Sequence, residues 1–251
     1  MQEEQDHEKS PIRDKTFYKG HRELLVIDES LKHYNCDIAR EIIKSLDLAG
    51  VGPLESLNVL DFGAGIGTLA QIFCKLTGVR PKCVEIDSFQ RDLLQVSGFD
   101  VYESLNQVQV SFDLVYSSNV LEHILDDVKT IREIYSALNQ GGTLFIYVPA
   151  HQFLYSQLDE QVGHLRRYSK KDLQNKIASA GFQIQKIEYH DTLGFIASIA
   201  LKVFGVNKKI GLGSTLSYRI YDTVIFPISK WLDKIRFRKI FGKNLLVVAI
   251  K

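Results

Sequence analysis

The sequence predicts an α/β fold, a doubly wound and mostly parallel sheet, on three observations. Short apolar strands alternate with helix-like segments from Asn58 onward, with brief connections between them. Gly63, Gly65 and Gly67 follow the first strand directly and lead into a helix. The second strand ends in acids, Glu85 and Asp87. Repeated strand–helix units with short connections make parallel sheets covered on both faces, and such sheets bind ligands at the carboxyl ends of their strands.

Each element follows from local chemistry. Residues 1–30 open the chain with a strongly polar stretch and are expected to be flexible. Over Leu31–Leu48, Ile38, Ile42, Ile43 and Leu46 recur at helical spacing, and Gly50 and Gly52-Pro53 end that helix. Strands are expected at Asn58–Phe62, Lys82–Ile86, Val101–Tyr102, Phe112–Ser117, Thr143–Val148, Phe182–Tyr189 and Leu245–Ile250. Helices are expected at Thr68–Leu76, Phe89–Val96, Asp127–Leu138 and Ser169–Ala180. Ser169 reads as the N-cap of the last of these, with Asp172 as its capping-box partner and Gly181 past its end. Gly141-Gly142 turns the chain into the fifth strand. The stretch 193–243 between strands six and seven is too long for a turn and reads as a helical insertion on a single domain spanning 31–251.

Composition narrows the function. The apolar share of 45% suits a folded protein. Cys36, Cys74 and Cys83 are odd in number and lack metal-ligand spacing, so buried thiols in a reducing compartment are expected, and no metal. No apolar run reaches the ~20 residues of a membrane span, and the polar start does not read as a signal peptide. A cytoplasmic protein is expected. Residues 202–243 nevertheless hold ten Lys/Arg against two acids, a net of +8 in a chain whose total is +1. Tyr218, Tyr221, Phe226, Trp231 and Phe237 interleave with these cations. That mixture suits peripheral contact with an anionic membrane surface, at its inner face; the alternative is a helical cap or a homodimer surface with solvated cations.

The run Asp61-Phe62-Gly63-Ala64-Gly65-Ile66-Gly67 resembles the D/E-x-G-x-G-x-G motif of the class I S-adenosylmethionine-dependent methyltransferases. The same glycines also satisfy the dinucleotide fingerprint of oxidoreductases. Phe112-Asp113-Leu114-Val115, followed by Asn119-Val120-Leu121-Glu122-His123, resembles the fourth-strand segment of the methyltransferase group that includes quinone-biosynthesis enzymes. Pro149-Ala150-His151, Ser156, Asp159 and Gly163-His164-Leu165-Arg166-Arg167-Tyr168 are similar to a bacterial subgroup found beside polyprenyl-phosphate glycosyltransferases, as is Tyr34-Asn35 upstream. The resemblance runs from about His33 to Tyr189.

That resemblance implies a Rossmann-like methyltransferase fold with S-adenosyl-L-methionine as cofactor. It implies cofactor contacts from Tyr34, Asp61, Gly63, Gly65, Gly67, Asn119 and Leu121. An acid on the cofactor ribose is Glu85 or, alternatively, Asp87, the other acid capping the next helix. His123 faces the acceptor or supports its loop. Asp159 and His164 are candidates to accept or relay the acceptor's proton, and Arg166 or Arg167 to hold an anion bidentately; the alternative is a structural ion-pair network. The expected reaction is in-line methyl transfer to a small-molecule or lipid-linked saccharide acceptor, with no nucleic-acid partner, since Ser117-Ser118-Asn119-Val120 departs from the amino-methylation motif. A non-catalytic binding protein of the same fold and a nucleotide-dependent oxidoreductase are the competing classes.

Overall fold

The computed structural model describes residues 30–49, 54–204, 215–234 and 239–251. The expected N-terminal segment, apart from Ser30, lies outside these residues, as do Gly50 to Pro53 and Arg236, Phe237 and Arg238.

Helix α1 spans Lys32–Ala49. The sheet comprises β1 (Val59–Phe62), β2 (Lys82–Val84), β3 (Val101–Tyr102), β4 (Phe112–Ser118), β5 (Leu138–Pro149), β6 (Gln183–His190) and β7 (Asn244–Ile250). Helices α2 (Thr68–Thr77), α3 (Ser88–Val96), α4 (Asp127–Ala137), α5 (Gln157–Gln161) and α6 (Lys170–Ser179) connect them. Strand order is β3-β2-β1-β4-β5-β7-β6, all parallel except β7, which runs antiparallel to both neighbours. The order reverses between β1 and β4, which places the glycine loop at the switch point.

Alternation along the strands sorts side chains to two faces. Val115, Leu144 and Ile146 pack with Ile131 and Ile134 of α4 and Leu173 and Ile177 of α6. Leu114, Tyr116, Phe145 and Tyr147 pack with Ile38 and Ile42 of α1 and Phe73 of α2. Large side chains of this kind contribute about 1.5–3 kcal/mol each when fully buried.

Three expectations need adjustment. Strand β5 starts at Leu138 rather than Thr143, because Leu138 already pairs with Phe112 before a register shift between Phe112 and Leu114. Strand β2 stops at Val84, two residues early, where Glu85 turns towards the glycine loop. The capping box at Ser169 forms only by half. Ser169 Oγ accepts from the Asp172 amide at 3.1 Å, but the Asp172 carboxylate pairs with Lys176 at 3.2 Å.

The stretch between β6 and β7 forms α7 (Thr192–Phe204), α8 (Thr215–Ile220), a π turn at Tyr221–Ile225 and α9 (Phe226–Lys234). Asp222 and Asp233 in it are anchors. Buried Asp233 accepts the amides of Asp191 and Thr192 at 3.1 and 3.2 Å. Asp222 accepts the amides of His33 and Tyr34 at 2.9 Å each. These are orphan donors in the first turn of α1, and the preceding Leu31 has no side-chain oxygen to offer them. A residue nearly 190 positions away therefore caps α1. Lys230 pairs with Asp37 of α1 at 2.7 Å, so this cation holds the insertion to the body.

Asp222→Ala should destabilise the protein by about 1–3 kcal/mol in urea unfolding, the cost of leaving buried donors unpaired. Asp222→Asn, which keeps an acceptor oxygen, should lose clearly less.

Candidate active site

The loop after β1 folds back on β2, with the Gly63 and Ala64 amides donating to the Val84 carbonyl at 2.8 and 3.1 Å. Gly63 has φ 77°, and a Cβ there would lie 2.3 Å from Val120 Cγ2. Only hydrogen fits between the loop and the end of β4. Gly65 has φ 57°, and a Cβ would meet only Gln90 Oε1 at 3.4 Å. Its open side is where a ligand can approach the backbone. Gly67 is the residue before α2, so the helix N-terminus opens from the same loop.

The two acids after β2 divide the work. Glu85 Oε2 accepts the Gly65 amide at 2.8 Å and Oε1 the Asp87 amide at 2.9 Å. Asp87 Oδ1 accepts the Gln90 amide at 2.9 Å and caps α3. Glu85 thus stands at the loop, and Asp87, the alternative ribose ligand, is spent on its helix. Asp61 is buried under the loop, and its Oδ2 has no partner among the described residues. Burial, with the Glu85 charge adding, pushes its carboxyl up to about 8.

At the end of β4, Asn119 is exposed with φ 55°, and its amide donates to the Tyr147 carbonyl at 2.8 Å. Leu121, expected at the cofactor, is fully buried in the core instead, and its carbonyl accepts the Tyr168 hydroxyl at 3.0 Å. Tyr34 is also redirected. Its hydroxyl bonds those of Tyr147 and the Asn244 amide at 3.1 Å each, and its ring lies edge-on to Phe226. It belongs to the contact between α1, β5, β7 and the insertion.

The cluster beyond β5 is assembled as an ion-pair network, the alternative to acceptor chemistry. Asp159 sits at the start of α5 in a capping box with Ser156. Its Oδ1 accepts from His164 Nδ1 and from Arg167 Nε, both at 2.8 Å. Burial opposes its ionisation, yet the His164 and Arg167 bonds hold its carboxyl well below the usual range. An acid so held is no proton acceptor near neutrality; Asp159 positions its partners. Arg167 is committed to Asp159, and Arg166 to Asp127 at 2.8 Å and the Leu125 carbonyl at 3.0 Å. Both guanidiniums are thereby engaged inside the protein instead of forming a bidentate anion clamp.

His123 and His164 do come together, with ring centroids 4.8 Å apart and edge-to-face. His123 lies on the turn Leu121–His123, one step beyond the Val120 side chain that fills the space over Gly63. Its Nδ1 donates to the Gly163 carbonyl at 3.2 Å. Partial burial and the neighbouring His164 ring hold its imidazole down at about 4, so it is neutral near pH 7.

Two residues escaped the sequence reading. Glu122 is completely buried, and neither carboxylate oxygen has a hydrogen-bond partner among the described residues. Burial pushes its carboxyl up to about 8. Its Oε1 lies 3.8 Å from His164 Nε2. The Leu-Glu-His run identified the position but not the burial. His151 has φ 65° and stacks on Tyr189 at 4.9 Å, with Phe195 at 4.8 Å. Only its adjacency to Pro149 marked it.

The glycine loop at the switch point, the acid facing it and the exposed tip of β4 define an α/β fold built to hold an adenosyl cofactor. Residues 31–187 match the methyltransferase domain model, and the chain belongs to that family. S-adenosyl-L-methionine is the cofactor of this class, and the open face of Gly65 with Glu85 beside it fits that group. The chain is 25% identical over 167 residues to a ubiquinone biosynthesis O-methyltransferase of Parvibaculum lavamentivorans, covering 57% of this chain and 65% of that protein, just under two thirds. It is 23% identical to malonyl-[acyl-carrier protein] O-methyltransferase 1 of Ilyobacter polytropus, over 84% of each chain. A SAM-dependent methyltransferase from Archaeoglobus fulgidus shares the fold, with TM-score 0.58 and 17% identity over 91% of this chain and 99% of that one.

Gly65→Ala should reduce adenosylmethionine affinity at least tenfold in calorimetry. The loss of stability should stay within the ~1–2 kcal/mol of left-handed strain, since the added methyl meets only Gln90 Oε1 at ordinary contact distance. Glu85→Ala should weaken binding by about 1–3 kcal/mol and Asp87→Ala should not. Asp61 adds a pH signature. Its folded pKa lies near 8 against 3.8 in the free side chain, so the folded state holds a proton that the unfolded chain releases. Its contribution to stability is fully present below about pH 4 and fades as pH rises through 8. Asp61→Asn should flatten that decline in urea unfolding measured at pH 5 and pH 8.

Proposed function

We propose that this protein transfers the methyl group of S-adenosylmethionine to a hydroxyl oxygen of a small-molecule or lipid-linked saccharide acceptor. The observation that carries the reading is the Glu122–His123–His164 cluster, beyond the β4 tip and beginning two residues after the glycine-loop contact at Val120. The bound cofactor supplies an activated methyl group and a neutral sulfide leaving group. What remains for the protein is to place the nucleophile about 3 Å from that carbon, in line with the sulfur, and to manage the hydroxyl proton. Gly63 and Gly65 let backbone approach the cofactor, Glu85 stands where its ribose hydroxyls would donate, and Asn119 borders the space ahead of the reacting carbon. Glu122, His123 and His164 form the acceptor wall, with the neutral His123 imidazole to receive a hydroxyl proton. Asp159 fixes the His164 ring and Arg167 fixes Asp159. Both similar enzymes cited above carry O-methyltransferase names, which agrees with an oxygen acceptor.

Transfer of labelled methyl from the cofactor to a panel of hydroxylated saccharides and their polyprenyl-linked forms tests this. His123→Ala should lower turnover by about 10²-fold or more while adenosylmethionine affinity stays within a factor of about two. Methylation of amines but not hydroxyls would overturn the oxygen assignment.

A lipid-linked acceptor is supported by the surface of the insertion. Val203 of α7, Leu216 of α8, Val224 of the π turn and Trp231 of α9 are all more than half exposed, at 70, 67, 54 and 62%. The exposed cations Lys202 and Arg219 belong to the same helices, α7 and α8, and Lys202 Nζ also donates to the Phe153 carbonyl. Rings and aliphatic groups flanked by cations suit a headgroup boundary, each cation contributing about 1 kcal/mol near an anionic surface. No helix among the described residues is long and apolar enough to cross a membrane. Co-sedimentation should show salt-sensitive binding to vesicles containing anionic lipid and little to neutral ones. Trp231→Ala should weaken it several-fold, and equal binding to both vesicle types would remove this support.

A further inference from the structure

Glu122, His123 and His164 each offer a donor atom within 4.8 Å of the others. The hydrogen bonds around them settle which nitrogens are available. His164 Nδ1 meets the Asp159 carboxylate at 2.8 Å, and a carboxylate can only accept, so Nδ1 carries a proton and Nε2 is the nitrogen left to offer a lone pair. His123 Nδ1 meets the Gly163 carbonyl at 3.2 Å, which assigns the same tautomer. Beside His164, with Oε1 3.8 Å from its Nε2, lies the fully buried Glu122 carboxyl, neither oxygen of which has a hydrogen-bond partner among the described residues. A buried polar group is costly to leave unpartnered. Two imidazoles and one carboxylate, in the unprotonated forms that bind metal, make a donor set of three-ligand zinc-type sites. Such ligating imidazoles are oriented by a carboxylate or carbonyl on the opposite nitrogen, which Asp159 and Gly163 provide here.

We propose that Glu122, His123 and His164 bind one divalent first-row cation, with zinc the best match. The fourth position of a tetrahedral ion is left for an oxygen of the acceptor. The donors would need to close by roughly 1 Å to reach the spacing set by metal–ligand bonds of about 2.0–2.2 Å. His123, exposed on one side, has room to make that movement. The role of the ion as acceptor holder rests on the proposed oxygen methylation; its binding does not.

The test uses the full chain after dialysis against a chelator. Calorimetric titration with zinc chloride should show one ion per chain, and cobalt chloride should give visible absorption bands of a nitrogen-and-oxygen-ligated ion. Glu122→Gln and His164→Ala should each weaken zinc binding at least 100-fold, and Asp159→Asn about 10–100-fold through loss of ring orientation. Circular dichroism and adenosylmethionine affinity, measured on the same samples, establish that each variant is folded. Absence of stoichiometric zinc binding in the unaltered chain overturns the proposal, as does wild-type binding by folded Glu122→Gln and His164→Ala. Zinc-free protein that still methylates hydroxyls at the full rate would refute the ion's role as acceptor holder while leaving the oxygen reading intact. Zinc binding at these residues without methylation of any hydroxyl would do the reverse.

Discussion

The constraint on which the site depends is the approach of the glycine loop to the end of β4. The Val120 side chain occupies the space that any Cβ at Gly63 would need. That contact fixes two functional surfaces to each other. On one side is the loop whose Gly65 amide donates to Glu85; on the other is the short turn that carries Glu122 and His123. In the proposed reaction this packing sets the distance between the bound methyl donor and the acceptor. A side chain on either element that altered this contact would misplace one reactant against the other, the kind of error that lowers rate without removing binding.

Charge at the site is arranged by burial. Asp159 remains ionised because His164 and Arg167 both donate to it. Glu122, a few ångströms away, has no such donors and is pushed towards its neutral form. Two carboxyls in one neighbourhood thus hold different protonation states for a local reason, the number of hydrogen bonds each receives. The same logic separates Glu85 from Asp87, since one meets the loop amide and the other a helix N-terminus.

The insertion is joined to the body by polar groups as well as by an apolar interface. Asp222 caps α1, Asp233 holds the start of α7, and Lys230 and His190 meet at Asp37, with distances of 2.7 and 3.0 Å. Tyr147 links His190 to the hydroxyl of Tyr34. Each of these is buried or nearly so, and each would be expensive if its partner were absent. They explain why both acids of a basic segment point inward, leaving its exposed face to apolar groups and cations.

The sequence by itself determined the alternation of strands and helices, the glycine loop and its neighbouring acid, because these depend on residues adjacent in the chain. Periodic apolar residues and glycines with positive φ act locally, so their consequences can be read locally. Only the tertiary structure decided what the polar residues do. Asp159 became a positioning group, Leu121 a core residue and Tyr34 part of the insertion contact, while Glu122 emerged as a buried, unpaired carboxylate. The physical reason is that an acid or imidazole takes its role from the donors and acceptors that surround it. Here those partners come from segments as far apart as Tyr34 and Asn244, and only folding brings them within hydrogen-bond reach.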